Sequence, residues 1–442
     1  MTRSDKRILW VGLVCLLFLA GWGTIHAILS LDAPPPDDAD LRPARAEIPE
    51  DRNALASFNQ AGEKVDVPFD AQEELEDILD GRRYDQAKVD DLLRRNAEAL
   101  TLWRQGLARP ALQAPRIDDI AADMGYCYSW LEIARLVDLS ALSLCRQGKD
   151  DEAFHEAMSI VRFGRMVMGA DGGLITFLIG KTVEEIGLVR LRRMIPQARL
   201  DKGQLALGVR ELARPSPPGA DLANALRVEY QVYAKSIDDL HSGNPLFGGG
   251  SAKSGGRRRR PVAAFALHVN RTKGMFAEVM RPCVENAAKP YAEMVWPERP
   301  ARVRKSVSWL LWTFVTGNGI GKMVFAAMAL DYTGCLEQKC TRNISVAATR
   351  LLLALKGYKM DKGRLPETLD ELVPAYIEAV PPDDFDGRPF RYSASKKVIY
   401  SVGKNLTDDG GDDPAYDKID ELAYGEAEAP VEAKDLVFPI LF

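Results

Sequence analysis

The chain is short of the residues that most enzyme chemistry needs. Histidine occurs four times, at the scattered positions His26, His155, His241 and His268, and no H-E-x-x-H is present. That excludes the helix-borne zinc site of a metalloprotease. There is no G-x-S-x-G and no G-x-G-x-x-G, which removes nucleophile-elbow hydrolases and Rossmann-type dinucleotide binders. Gly321-Lys322 fails as a phosphate loop, because Thr316 stands where its first glycine belongs and Met323 replaces the Ser or Thr that holds magnesium. The six cysteines include no C-x-x-C pair, which disfavours a structural zinc site. Strong charge imbalance is missing too, and a net charge of −5 argues against a dedicated nucleic-acid binder. A triad assembled in space stays open, since triads are defined by geometry. No catalytic or cofactor-binding residue can be named, and the expectation is a non-enzymatic protein.

What is present begins at the N-terminus. Arg3, Lys6 and Arg7 precede a run from Ile8 to Leu31 that contains no Asp, Glu, Lys or Arg. A bilayer core needs roughly 20 apolar helical residues, and this run supplies them. Ile25-His26-Ala27 is a poor cleavage site, so the run reads as a retained, single-pass signal anchor with its basic end in the cytoplasm. Cys15 reads as a membrane-buried thiol, because Val14 does not suit a lipoprotein signal. The bulk of the chain is then expected in the periplasm or an equivalent extracytoplasmic space. Five cysteines follow the anchor: Cys127, Cys145, Cys283, Cys335 and Cys340. An oxidising compartment permits disulfides, and Cys335 and Cys340 are close enough in sequence to close a small loop.

Residues 32–69, opening on Ala33-Pro34-Pro35-Pro36-Asp37-Asp38, read as a solvated spacer and lead-in. Residues 70–341 read as a helical domain, a bundle or short α-solenoid. Tyr84 to Leu107 carries one apolar face at helical spacing, as does Tyr128 to Arg146. Gly148-Lys149-Asp150-Asp151-Glu152-Ala153 breaks and restarts a helix through Met168. That hairpin resembles one tetratricopeptide-type unit, with an ordinary helical hairpin as the alternative. Leu174 to Met194 is read as a further amphipathic helix, and its Glu184-Glu185 pair as solvated positions. A flexible loop over 243–261 holds four consecutive arginines, Arg257 to Arg260. They suit either an anionic partner or a plain solvated insertion. Val307 to Leu330 is very apolar, and reads as a buried helix rather than a second span because Lys322 and the glycines interrupt it.

The last segment, residues 342–442, carries the densest pattern. Ile344 to Tyr358 is a helix able to pack on a sheet. Asp361-Lys362-Gly363-Arg364-Leu365-Pro366 suits a left-handed cap and a restart, and Asp386-Gly387 a tight turn ahead of Phe390-Arg391-Tyr392. Lys397 to Val402 is expected to be the partner strand, ending Tyr400-Ser401-Val402-Gly403, and Asp435 to Ile440 to close the sheet. Residues 405 to 435 hold eleven acids and two bases.

This order of motifs resembles the globular head of the type II secretion major pseudopilins. The rest of the chain resembles uncharacterised membrane-anchored bacterial helical proteins, a likeness that brings no function with it. The fold class expected is mainly α with a small α+β C-terminal domain, one helix over an antiparallel sheet. In the pseudopilin family the last loop binds calcium, and clustered Asp on a Gly-bearing loop is the right chemistry for a hard cation. The resemblance carries this onto Asn405, Asp408, Asp409, Asp412, Asp413 and Asp435. A merely solvated acidic loop is the alternative, since the loop is longer than the family's and Asn405 is neutral. The prepilin cleavage site and the family's helix Glu are absent, so pilus assembly through the N-terminal helix is not expected. Two functions are open: an anchored envelope adaptor that docks to secretion-system or other envelope proteins, or an envelope hydrolase with its site in the helical domain.

Overall fold

The computed structural model describes residues 31–43, 45, 47–117, 120, 122–215, 222–243, 266–296, 317–328, 332–411 and 435–442, with scattered positions before residue 31. The described chain is mainly helical, with one small antiparallel sheet near its C-terminus. The helices are α1 Leu55–Glu63, α2 Phe69–Leu79, α3 Gln86–Arg95, α4 Ala97–Leu107, α5 Gly125–Arg146, α6 Asp150–Met168, α7 Gly173–Met194, α8 Lys202–Ala213, α9 Leu222–His241, α10 Val269–Asn286, α11 Gly319–Met328 and α12 Thr333–Lys362. The strands are β1 Arg391–Ser393, β2 Val398–Ser401 and β3 Leu436–Pro439.

The hairpin expected around Gly148 forms as α5 and α6. The single helix expected over Tyr84 to Leu107 does not: it is two helices, parted at Asn96. That side chain is fully buried. It donates to Leu92 O at 2.9 Å and Asp66 O at 3.0 Å, and accepts from Asp66 N at 2.7 Å. An Asn side chain that binds backbone groups competes with the helical ladder.

Helix α7 is the centre of the body, packed by α5, α6, α9 and α12. The reading of α7 as amphipathic is overturned, because its buried residues fall on every face. Helix α6 lies close against it. A Cβ on Gly164 would stand 2.4 Å from Glu184 N, and one on Gly180 would stand 2.5 Å from Met168 N. The solvated reading of Glu184-Glu185 fails with it, for these residues are 0% and 7% exposed. Glu184 accepts from Arg165 Nε at 2.7 Å and Arg342 Nε at 2.6 Å. Glu185 accepts from Arg192 Nη2 at 2.7 Å and Ser345 Oγ at 2.8 Å. Arg190 grips both oxygens of Asp138, at 2.6 and 2.9 Å. Buried charges persist when they are paired and hydrogen-bonded, and these are. Burial pushes the Glu184 carboxyl up, but Arg342 and Arg165 outweigh it and hold the group below its ordinary value.

Helix α12 joins body and head. It runs through position 342, so the boundary drawn there falls inside one helix. Arg342 and Ser345 reach α7, while Leu351, Leu352 and Leu355 share one apolar core with Leu188 and Leu191 of α7 and with Ile399, Val402 and Phe438 of the head. The Arg192 guanidinium lies 5.6 Å from the centre of the Phe438 ring. Gly363, in the left-handed region at φ 72°, ends the helix as its position suggested. The sheet order is β1-β2-β3, with Tyr392 opposite Ile399 and Ile399 opposite Phe438.

The Pro- and Asp-rich segment after residue 31 is held against the body rather than standing free. Leu41 is fully buried, and the Asp32 carboxylate accepts from Asn270 N at 2.8 Å and Arg271 N at 3.0 Å, at the start of α10. Cys127, Cys145, Cys283, Cys335 and Cys340 form no disulfide among the described residues. The small loop imagined between Cys335 and Cys340 is excluded, since both lie on α12 and five helical positions put them on different sides. The anchor expected over residues 8–31 lies for the most part outside the described residues, as do Arg257 to Arg260 and residues 307–316 and 329–330 of the apolar stretch. No helix among the described residues is long and apolar enough to cross a membrane.

Candidate functional site

The acidic loop hangs between β2 and β3 and is organised from beneath by a buried aspartate. Asp383 is fully buried. It accepts from Phe385 N at 3.0 Å, Val402 N at 2.9 Å, Ser401 Oγ at 2.8 Å and Arg391 Nη1 at 2.8 Å. This ties the Asp386-Gly387 turn to the end of β2, which fixes where the loop begins.

Four of the six residues proposed for calcium, Asn405, Asp408, Asp409 and Asp435, lie among the described residues at the two ends of the loop. Asp435, 3% exposed, accepts from Gly411 N at 2.7 Å and Asp409 N at 3.2 Å. Gly411 is at φ 68°, and a Cβ there would meet Tyr400 Cδ1 at 2.9 Å, so only glycine brings the amide this close. Burial pushes the Asp435 carboxyl up, and the two amides pull it back. Asp408 accepts from Gly410 N at 3.0 Å and Tyr400 OH at 3.2 Å. Asn405 Nδ2 donates to Asp409 at 2.9 Å. Asp412 and Asp413 lie outside the described residues. Among the described residues no three His, Cys, Asp or Glu side chains stand together as a metal-ion set. Asp435 has both oxygens engaged by amides and works as the loop's hydrogen-bond anchor. Asp408, Asp409 and Asn405 are the exposed residues of the set and carry hard oxygens, a donor type that suits calcium, although Asn405 Oδ1 already accepts from Thr407 N at 3.0 Å.

A second feature was not visible in the sequence. Between α8, the second half of α12 and residues 374–378 lies a groove of about 630 Å³. Leu205, Val209, Leu353, Ala354 and Ile377 form its apolar lining, and Arg350 stands among them. Arg350 Nε is buried and has no hydrogen-bond partner among the described residues. Burial lowers the Arg350 guanidinium from its ordinary value, with Glu378 opposing the shift through space. The only sequence signal is a single Arg in the run Thr349-Arg350-Leu351-Leu352-Leu353, which does not separate a surface position from a groove.

Comparison with protein-family models, curated proteins and solved structures returns no match for this chain.

Proposed function

We propose that the protein is a single-pass, membrane-anchored envelope protein that acts as an adaptor, with a pseudopilin-like head carried on a helical body. Its setting on this reading is the inner membrane, with the C-terminal bulk in the periplasm and with secretion-system or other envelope proteins as partners. One observation carries the reading: α12 is shared between body and head, and Arg192, Glu184 and Arg342 lock it in place. A docking head gains from such a mount, because a pre-ordered surface loses less freedom on binding. Calcium at Asn405, Asp408 and Asp409, with Asp412 and Asp413 on the same loop, would stiffen the tip of the head, and Asp435 would order the loop from below.

The test is crosslinking of the tagged full chain in intact cells, followed by identification of what co-purifies from the membrane. Recovery of secretion-system components, lost on Arg388→Glu with Leu406→Asp at exposed head positions, supports the adaptor. Recovery of nothing but the chain itself sinks it. Calcium is tested separately by thermal unfolding: added calcium should raise the midpoint of the wild-type chain and leave that of Asp409→Asn unmoved.

A further inference from the structure

The groove beside α12 asks for a ligand more pointedly than any other surface. Its volume, about 630 Å³, falls within the range of small-molecule sites. Leu205 and Val209 on α8 and Leu353 and Ala354 on α12 give each helix an apolar stretch along the wall, and Tyr376 and Ile377 close the side formed by the head. A guanidinium N–H held there without an acceptor is costly, and a carboxylate is the group that relieves it best, by a charge-assisted bond in a poorly solvated setting. Other charges do not supply that bond. Asp361 is paired with Lys202, and Arg214 with Glu211 at 2.9 Å. Glu378 is exposed and makes no hydrogen bond to Arg350 Nε. The remaining charge on the lining, Arg210, is another cation at an exposed position.

We propose that this groove binds a small anionic amphiphile, one carboxylate on an unbranched apolar chain, with Arg350 receiving the head and the Leu205, Val209 and Leu353 side chains receiving the tail. The size of the cavity and the one half-buried cation on its lining, Arg350, favour such a ligand over an extended protein segment, which would bring several polar backbone groups against the apolar side chains. The inference is independent of the adaptor reading, and either can fail without the other.

The experiment is calorimetric titration of the full chain with dodecanoate below its micellar concentration, with dodecan-1-ol as the neutral probe. Dodecanoate should bind at one site. Arg350→Met should weaken dodecanoate about ten-fold or more, the scale of one lost charge-assisted hydrogen bond, and leave dodecan-1-ol nearly unchanged. Ala206→Trp, at an exposed position on the groove's rim, should remove both without disturbing the core. The proposal is overturned if dodecanoate does not bind the wild-type chain, if Arg350→Met binds it equally, or if Ala206→Trp leaves binding intact.

Discussion

Glu184 sits with no exposure to water between two guanidiniums, Arg165 from α6 and Arg342 from α12. A buried ion pair is weak evidence of net stability, but removing one member strands the others. Glu184→Ala should therefore cost about 3–5 kcal/mol in urea unfolding, the scale of a broken buried pair. The sign of the pH dependence follows from the depressed carboxyl. The contribution is whole above the unfolded value near 4.5, and is lost as pH falls through the lower folded value. Glu184→Gln should flatten that acid limb of the stability curve, and an unchanged limb would mean that other groups set it. Glu184 and Glu185 were legible as charges on a helix but not as buried ones. Their partners Arg342 and Ser345 lie far along the chain, and no local pattern links them. Arg350 was hidden for the same reason, because its setting is made by α8 and residues 374–378.

Elements were far more legible than their surroundings. The Gly148 turn, the Gly363 cap and the Asp386-Gly387 turn are local signals, and each stands where a turn or helix end was expected. The three short strands also form, in the expected antiparallel order. The break at Asn96 was not legible, since it depends on Asp66, which lies outside the helical window. The close approach of α6 and α7 was equally invisible, because a glycine in a helix looks like a weakness rather than a fit. Two alanine substitutions separate these cases. Gly164→Ala must push α6 off the α7 backbone, and should cost about 1–3 kcal/mol as an overpacked contact. At Gly363 an added Cβ meets nothing within 4 Å, so Gly363→Ala should cost about 1 kcal/mol from the backbone alone. Thermal unfolding of the two variants checks the order, and equal losses would place the α6–α7 contact looser than described.

For the molecule as a whole, one apolar core runs from Leu41 through α7 and α12 to Ile440. Body and head should therefore unfold together. Circular dichroism, which follows the helices, and a probe placed on the sheet should report coincident denaturant transitions. A chain ending at residue 341 should lose cooperative unfolding, because it removes Arg342, Ser345 and the apolar half of α12 from their seats against α7. Two separated transitions, or a cooperative truncated body, would show that the shared core counts for little. The candidate metal site was legible as a cluster of acids and as what the resemblance to the pseudopilin head implies. Which carboxylate anchors the loop and which stay exposed depends on the Gly410-Gly411 backbone, a matter of φ angles rather than of charge.

The late position of α12 also bears on how the chain is made. Synthesis runs from the N-terminus at roughly 5–20 residues per second, and domains ordinarily close as they emerge. Here the central helix is complete by Met194, and Glu184 and Glu185 each have one early partner in Arg165 and Arg192, yet the rest of the hydrogen bonds of Glu184, Glu185 and Arg192 arrive with Arg342, Ser345 and Thr349. A nascent body therefore waits, with charged groups and apolar surface uncovered, until most of the chain has appeared. A holding chaperone would find its natural client in that interval.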